Sequence, residues 1–279
     1  MLSGNSIKKP KVCVLRTAGT NCDKETAYAF SKVGATAELV HINNLIRGKM
    51  RLSDYQILAF PGGFSYGDDI ASGRVFANEL RCKLADELSE FVSDGKLIIG
   101  ICNGFQVLVK SGLLPGTRPY RIGRYAPLRS ASNFEQEASL IINDSGKFED
   151  RWVYLRNSGR CVWTKNIPEV IYLPVAHGEG KFIVKDSAVL NRLKKNGQVI
   201  FKYCGAQGKS GGYPDNPNGS LDDIAGISDE TGRVLGLMPH PERYIDIHQH
   251  PRWTGLKNKK SGDGLVIFKN GVEYCRKHF

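Results

Sequence analysis

The sequence contains no apolar run long enough to cross a bilayer, and its N-terminus has no signal-peptide pattern. Neither a membrane protein nor a secreted one is therefore expected. The chain also lacks a C-x-x-C pair, and its seven cysteines are odd in number and scattered. That spacing argues against a disulfide framework and against a zinc site. We therefore expect no metal ligands and a reducing, cytoplasmic setting.

Acidic residues are outnumbered by basic ones, with 28 Asp and Glu against 39 Lys and Arg and a formal net charge of +11. Such an excess can indicate nucleic-acid binding. The basic residues are spread out, however, and neither an aromatic-rich RNP motif nor a helix-turn-helix is visible. We predict a solvated basic surface or a dock for an acidic protein partner, and no nucleic-acid function.

The length of 279 residues suits one large α/β domain or two small ones. Apolar runs at residues 11–15, 37–42 and 55–60 predict strands, with helical segments between and after them. Such β-α-β order implies a parallel sheet with right-handed crossovers and helices on both faces. Ligands of these sheets bind at the carboxyl ends of the strands.

Two helices are predicted in this part of the chain. Asp23 is expected to cap a helix that runs to about Val33, with Gly34 at its end. Residues 72–93 have helical spacing, and Gly95 ends that helix. Its predicted apolar face consists of Phe76, Leu80, Leu84, Leu88 and Phe91.

The chain is organised around residues 97–106, Leu-Ile-Ile-Gly-Ile-Cys-Asn-Gly-Phe-Gln. An apolar run that predicts a buried strand stops at Gly100, and a helix-compatible run begins just past Cys102. This order matches a nucleophile elbow, G-x-nucleophile-x-G, with cysteine in place of serine. Glycine has no Cβ to collide with the neighbouring strand or helix at so sharp a turn. The partial positive charge at the helix N-terminus favours the thiolate form of the cysteine. The alternative is a small buried cysteine that lies between two glycines by chance.

The strand predicted over residues 55–60 ends at a glycine-rich loop, Pro61-Gly62-Gly63. A tight surface turn is the ordinary role of such a sequence. A glycine backbone can also approach a substrate and point an N–H at the oxyanion of a tetrahedral intermediate, opposite the N–H of Asn103. A phosphate cradle is not favoured, since no G-K-[ST] follows.

A third segment lies far downstream, where residues 224–238 predict a β-hairpin that runs into Pro-His-Pro-Glu. The flanking prolines are expected to hold His240 in an extended conformation. Two residues apart in such a segment, His240 and Glu242 point the same way, so the carboxylate can orient the imidazole. Most single histidines are inert, but one placed like this beside an elbow cysteine is predicted to be functional.

Together these segments resemble the class I, triad-type glutamine amidotransferases. Stretches at residues 62–68, 148–153, 176–180 and 216–220 make the chain similar to the family of glutaminase subunits of phosphoribosylformylglycinamidine synthase, in de novo purine synthesis. The similarity covers most of residues 12–242. It implies a flavodoxin-like α/β fold: a mostly parallel central sheet, helices on both faces and a small antiparallel β element.

The resemblance implies that the chain hydrolyses glutamine to glutamate and ammonia with a catalytic triad. Cys102 attacks the side-chain carboxamide, His240 transfers the proton and Glu242 orients the imidazole. The oxyanion and substrate-binding residues implied are Gly62, Gly63, Asn103 and Gln106. A second His-x-Glu, His177 and Glu179, is expected to shape the site or the subunit interface, and a structural loop histidine is the alternative.

Free ammonia near pH 7 is mostly protonated and a poor nucleophile, so a partner is expected. The resemblance implies a synthetase subunit, which activates formylglycinamide ribonucleotide with ATP and magnesium, and a small bridging subunit. No ATP motif is visible here. We therefore expect that this chain itself binds no cofactor.

Residues 1–10 are expected to form a mobile leader and residues 11–279 a single amidotransferase domain. An arginine-bearing insertion at about 115–139 and a basic extension at about 245–279 depart from the family pattern. Partner contacts are the hypothesis for both, and solvated loops are the alternative. Two other functions stay open: a different Cys-His enzyme, such as a PfpI-like hydrolase, and a non-catalytic binding subunit.

Overall fold

The computed structural model describes residues 9–116, 136–158, 161–256 and 259–279. Residues 1–8 of the predicted leader and most of the arginine-bearing insertion, including residues 118–129, lie outside the described residues. In the described ranges no helix is long and apolar enough to cross a membrane.

The described residues form eleven strands and seven α-helices. The strands are β1 Lys11–Arg16, β2 Thr36–His41, β3 Ile57–Phe60, β4 Leu97–Ile101, β5 Ala138–Ile141, β6 Glu149–Asn157, β7 Val170–His177, β8 Lys181–Val184, β9 Val199–Cys204, β10 Ile224–Ser228 and β11 Val234–Leu237. The helices are α1 Asp23–Lys32, α2 Ile42–Ile46, α3 Arg74–Lys83, α4 Ala85–Ser93, α5 Asn103–Ser111, α6 Ser187–Lys195 and α7 Leu265–His278.

The central sheet has nine strands in the order β2-β1-β3-β4-β11-β10-β9-β6-β7. Neighbouring strands are parallel from β2 to β11 and antiparallel from β11 to β7. Within this sheet β10 and β6 therefore run against the other strands. A separate antiparallel pair joins β5 and β8. The predicted fold class, a mostly parallel sheet with a small antiparallel element, is confirmed.

The core lies around the central strands, whose residues are all buried in β3, β4 and β11. Strands buried on both faces read as unbroken apolar runs, as these do. Helix α1 packs against α7, where the rings of Phe30 and Phe268 meet edge to face at 4.9 Å. Helix α3 packs against α5. Of these helices, α1 lies directly on β1 and β2, and α5 lies directly on β3 and β4.

Two local predictions about helices were wrong. The helix predicted over residues 72–93 is two helices, α3 and α4, separated at Leu84 by a backbone with φ −131° and ψ 19°. The apolar residues recur mostly every fourth position. In a helix with 3.6 residues per turn, each such side chain is rotated by about 40° around the axis from the one before it. The break at Leu84 corrects that drift, and all five apolar side chains are buried. The N-cap of α1 is Cys22, and Asp23 is the first helical residue.

The site is formed where several strands end at the same edge of the sheet. Strands β3, β4 and β11 are adjacent and parallel, so the segments that follow them emerge side by side. The sheet also curls, because β7 returns to this edge although it is the last strand in the order. The main-chain N–H of His240 donates to the carbonyl oxygen of Pro174 in β7 at 2.8 Å. Four strand ends therefore surround one small volume.

Close contact between α5 and β3 leads to a stability prediction for Gly104→Ala. A Cβ built on Gly104 lies 2.0 Å from the carbonyl oxygen of Phe60, which is main chain and cannot move aside. Alanine normally stabilises a helix by about 1 kcal/mol relative to glycine. Here we expect urea unfolding to show a loss of at least about 2 kcal/mol from overpacking. The matched change Gly212→Ala, with nothing within 4 Å, should stay within about 0.5 kcal/mol. An unchanged midpoint for Gly104→Ala would contradict this contact.

Candidate active site

Cys102 lies at a sharp turn between β4 and α5. Its φ of 52° and ψ of −108° are unusual for a residue with a side chain, and α5 begins at the next residue. The turn is held by the N–H of Cys102, which donates to the carbonyl oxygen of Leu237 at 2.8 Å. A Cβ on Gly100 would lie 2.6 Å from the main-chain oxygen of Gly104. The predicted elbow is confirmed, together with its need for glycine on both sides.

His240 and Glu242 form a buried pair directly after β11. Nδ1 of His240 lies 2.6 Å from Oε1 of Glu242, and the two residues are 2% and 1% exposed. The expected extended backbone is only partly right, because Pro241–Arg243 is a turn of 3-10 helix. The carboxylate reaches the imidazole across this turn instead of along a strand. Since a carboxylate oxygen only accepts, Nδ1 carries the hydrogen and Nε2 faces away from Glu242.

Charges around His240 favour its protonated form. Burial by itself lowers the pKa of an imidazole, because it penalises the charged ring. The Glu242 carboxylate and the thiols of Cys102 and Cys22 outweigh this effect and hold the pKa of His240 well above its usual value. A histidine in this environment can take a proton from a neighbouring thiol.

Gly62 lies at the point where the separate segments meet. A Cβ at this position would lie 2.8 Å from Cε1 of His240, 3.2 Å from Sγ of Cys22 and 3.4 Å from Cβ of Cys102. Only a residue without a side chain fits between these three groups. The elbow, the glycine loop and the His-x-Glu segment therefore converge, as their positions at strand ends predict. On the remaining side, Sγ of Cys102 lies 3.6 Å from the carbonyl oxygen of Ala176 in β7.

The main-chain N–H groups of Gly63 and Asn103 are the predicted oxyanion donors. Asn103 is the first residue of α5, where the helix supplies no acceptor for its N–H. Gly63 forms an isolated antiparallel bridge with Thr20, flanked on each side by a main-chain hydrogen bond. At such a position the N–H points away from the facing segment. The N–H of Asn103 has no acceptor within α5, and the N–H of Gly63 points away from Thr20. The role of both groups as oxyanion donors stays a prediction.

The side chain of Asn103 ties the glycine loop to α5, a function that the sequence pattern did not indicate. Its Oδ1 accepts hydrogen bonds from the N–H of Ser65 at 3.2 Å and from the Ser65 hydroxyl. Its Nδ2 donates to Oδ1 of Asp68 at 3.1 Å. Burial raises the pKa of Asp68, against the hydrogen bonds it accepts from Ser72, Gly73 and Asn103. This network fixes where the loop lies relative to the elbow.

Gln106 is buried one turn into α5. Its Nε2 donates to the main-chain oxygen of Glu179 at 2.5 Å, and its Oε1 accepts from Nδ2 of Asn103 at 2.9 Å. Both ends of the amide are thus engaged with protein groups. Gln106 holds the turn between β7 and β8 against α5, and its substrate-binding role stays a prediction.

His177 and Glu179 do not form a second catalytic pair. Nδ1 of His177 lies 3.2 Å from Oδ1 of Asn143, whereas Oε2 of Glu179 accepts from the N–H of Ser72 at 3.4 Å. Burial, helped by the charge of His240, lowers the pKa of His177 to about 3, so its imidazole is neutral near pH 7. The two side chains diverge from the same turn. Their proposed role in shaping the site or an interface stays a prediction.

Sequence comparisons decide the family. Residues 9–275 match the CobB/CobQ-like glutamine amidotransferase domain. Phosphoribosylformylglycinamidine synthase subunit PurQ from Dehalococcoides mccartyi is 49% identical over 273 residues, which cover 97% of this chain and 99% of that protein. The subunit of the same name from Methanococcus maripaludis is 46% identical over 281 residues, covering 96% and 98%. The chain belongs to the PurQ family of glutamine amidotransferases.

Solved structures agree with membership of the PurQ family. A chain in the structure of PurLQS from Thermotoga maritima is 31% identical, with a TM-score of 0.69 over 96% of this chain and 100% of that one. A protein from Thermoplasma acidophilum that is described as belonging to a GMP synthase is 13% identical, with a TM-score of 0.54 over 97% and 96%, and shares the fold alone. The family inferred from the motifs is confirmed, and the PfpI-like alternative is set aside.

Cys22 is a second buried thiol in the site of this PurQ-family chain, and the sequence analysis missed it. Its Sγ lies 3.1 Å from Oδ1 of Asn21 and accepts a hydrogen bond from the Arg243 guanidinium at 3.2 Å. Burial raises the pKa of the Cys22 thiol, although His240 and Arg243 oppose that effect. One signal was available, since Cys22 lies in the polar turn after β1, at the edge of the sheet where ligands bind.

Proposed function

We propose that this chain is the glutaminase subunit of phosphoribosylformylglycinamidine synthase and releases ammonia from glutamine for purine biosynthesis. One observation carries the proposal. Cβ of the elbow residue Cys102 and Cε1 of the His240 imidazole both lie against Gly62, with Glu242 2.6 Å behind the imidazole. A nucleophile, a base and a carboxylate that orients the base are the three parts of a triad. Membership of the PurQ family supports glutamine as the amide substrate.

The first step is attack on the glutamine carboxamide. His240 takes the proton of Cys102, and the sulfur bonds to the amide carbon. The amide oxygen becomes an oxyanion, which the N–H groups of Gly63 and Asn103 stabilise by hydrogen bonds. His240 then returns its proton to the departing nitrogen, so ammonia leaves and a γ-glutamyl thioester stays on Cys102.

The second step releases glutamate. Water attacks the thioester carbon and His240 accepts a proton from that water. The C–S bond then breaks, and His240 gives the proton to the leaving sulfur, which restores the thiol of Cys102. Glu242 holds the imidazole in one orientation through both steps and stabilises its charged form. Burial of the pair excludes bulk water and strengthens this interaction. No step needs a cofactor on this chain, and ATP and magnesium belong to the synthetase.

Ammonia must then reach a partner before it picks up a proton. The related Thermotoga maritima chain comes from a structure named PurLQS, which supports two partners, a synthetase and a smaller third chain. Two exposed rings beside the glycine loop, Phe64 at 47% and Phe148 at 53%, have their centroids 6.4 Å apart. Exposed apolar groups of this kind suit burial against another subunit.

The seven free cysteines fit a reducing, cytoplasmic setting.

Isotope dilution tests both the reaction and the transfer. The chain is combined with its synthetase and small subunits, formylglycinamide ribonucleotide and ATP, with amide-15N glutamine and excess unlabelled ammonium. We expect formylglycinamidine ribonucleotide that keeps most of the 15N label, because ammonia passes between subunits without mixing with the solution. Product labelled no more than the bulk ammonium would contradict the transfer. Absence of glutamate from every mixture would contradict the glutaminase activity itself.

A further inference from the structure

The peptide bond between Gly62 and Gly63 takes its orientation from the turn that follows β1. The carbonyl oxygen of Gly62 accepts hydrogen bonds from the N–H groups of Asn21 at 3.4 Å and Cys22 at 3.2 Å. In a planar trans peptide the C=O and the N–H point in opposite directions. The N–H of Gly63 therefore points away from the turn, and the turn determines the direction of this proposed oxyanion donor.

Little free space separates this turn from the glycine loop. A Cβ built on Gly19 would lie 1.9 Å from the carbonyl oxygen of Phe64. A Cβ built on Gly63 would lie 2.7 Å from the main-chain nitrogen of Asn21. The N–H of Phe64 also donates to the carbonyl oxygen of Gly19 at 2.9 Å. Segments packed this closely move together, so a displaced turn would carry the Gly62–Gly63 peptide with it.

Arg243 ties the same turn to the catalytic pair. Its Nη2 donates to Sγ of Cys22 at 3.2 Å, and its Nε donates to Oε2 of Glu25 at 3.1 Å. Arg243 directly follows Glu242, in the same turn of 3-10 helix. Two donors on one rigid, planar guanidinium define the angle of a contact as well as its distance. The segment that carries His240 and Glu242 is therefore held at a defined position against the turn.

Cys22 connects Arg243 to Gly62 through a single residue. Burial raises the pKa of the Cys22 thiol, so the thiol is neutral near pH 7 and can both donate and accept a hydrogen bond. Its Sγ donates to Oδ1 of Asn21 at 3.1 Å and accepts from Arg243, while its main-chain N–H donates to Gly62. The imidazole base, which follows β11, and the oxyanion donor, which follows β3, are thus connected through a residue that follows β1.

We propose that Arg243 is a positioning residue for the oxyanion donor. By holding Cys22, it fixes the N–H of Gly63 relative to His240. The oxyanion forms only as the sulfur of Cys102 attacks, so a donor directed at it stabilises the transition state more than bound glutamine. Loss of Arg243 should therefore lower kcat and leave the KM for glutamine nearly unchanged. This role rests on the proposed glutaminase function.

Arg243→Met in the assembled synthase tests this role, because methionine keeps part of the apolar stem but has no N–H group. We expect the glutamine-driven kcat to fall about 10- to 100-fold, less than for a lost oxyanion donor, with the KM for glutamine within about threefold. Arg243→Lys should restore only part of kcat, because an ammonium does not reproduce the two-donor fork. Arg276→Met is the matched control and should keep the wild-type kcat. The Arg276 guanidinium also clamps two segments, but it donates to the carbonyl oxygen of Gly34 at 3.0 Å, past the far end of α1.

Two reagents separate positioning from a merely structural role. Glutamate γ-semialdehyde bonds through its aldehyde carbon to the sulfur of Cys102, whose proton passes to His240, and the aldehyde oxygen takes the place of the oxyanion. Iodoacetamide alkylates the same sulfur with loss of iodide and forms no oxyanion. In Arg243→Met we expect the inhibition constant of the aldehyde to rise at least about 10-fold, whereas the rate of Cys102 alkylation stays within about threefold. A general disturbance of the site would change both.

The outcomes separate this proposal from the proposed function. An inhibition constant of the aldehyde that is equal in Arg243→Met and the wild type overturns the positioning role. Parallel losses of aldehyde binding and Cys102 alkylation also overturn it, because the nucleophile itself would then be displaced. If Arg243→Met fails to assemble, which loss of its ammonia-driven rate would show, Cys22→Ala supplies the same comparison. A wild type without a glutamine-driven rate refutes the proposed function, whereas a normal glutamine-driven kcat in Arg243→Met refutes only the positioning.

Discussion

Replacing Cys102 with alanine should lower the glutamine-driven rate of the assembled synthase by at least about 10,000-fold. Loss of the nucleophile in a triad enzyme leaves only the binding and oxyanion contributions to the rate. With ammonium salts as the nitrogen source the rate should stay within about twofold of wild type, because the synthetase subunit then needs no glutaminase. Both rates are measured on the same preparation of the complex.

Cys275→Ala is the matched control for this change. Cys275 is also buried, but it lies in α7, where its thiol contacts the carbonyl oxygen of Gln56 at 3.8 Å. Its glutamine-driven rate should be normal if the enzyme folds. Equal glutamine-driven rates in Cys102→Ala and wild type would refute the triad. Loss of the ammonia-driven rate as well would show that the variant fails to assemble, which a sizing column would reveal.

Glu242→Gln should lower kcat for glutamine hydrolysis by about 100- to 10,000-fold. The amide keeps the shape of the carboxylate but allows the wrong imidazole tautomer and no longer stabilises the charged ring. The same change should lower the pKa of His240 from its raised value in the wild type. Burial, which lowers the pKa of this imidazole, would then be opposed only by the two thiols.

NMR titration of the His240 ring measures this shift directly. In the wild type the folded-state pKa lies above the unfolded value of about 6.5. Protonated His240 therefore stabilises the fold fully below about pH 6.5, and that contribution is lost as the pH rises through the folded-state pKa. Glu242→Gln should lose this part of the pH dependence. Glu179→Gln, the other His-x-Glu carboxylate, should leave the pKa of His240 in place, because Glu179 faces Ser72. A His240 pKa that is the same in Glu242→Gln and wild type would rule out the proposed pairing.

The sequence by itself determined the local chemistry of the site. The elbow at Cys102 could be read because a sharp strand-to-helix turn demands glycine within two residues on each side, which is a short-range requirement. The strand ends, predicted at Phe60 and Met238 and observed at Phe60 and Leu237, could be read from apolar runs that are followed by proline, since proline cannot continue a ladder. Because the strands are parallel, these ends lie at the same edge of the sheet. The family, and the approach of Cys102, His240 and Glu242 to one another, were predictable for these reasons.

Only the tertiary structure decided which side chains meet across that edge. Cys22 lies against His240, and Gln106 is bound to Glu179, because loops from distant strands pack together there. Strand β7 is four positions from β11 in the sheet, yet Pro174 in β7 accepts a hydrogen bond from His240, and no local pattern encodes that contact. The break at Leu84 likewise reflects packing of α3 and α4 on the core. Local spacing fixes conformation over a few residues, whereas contacts between distant segments depend on how the whole sheet twists and closes.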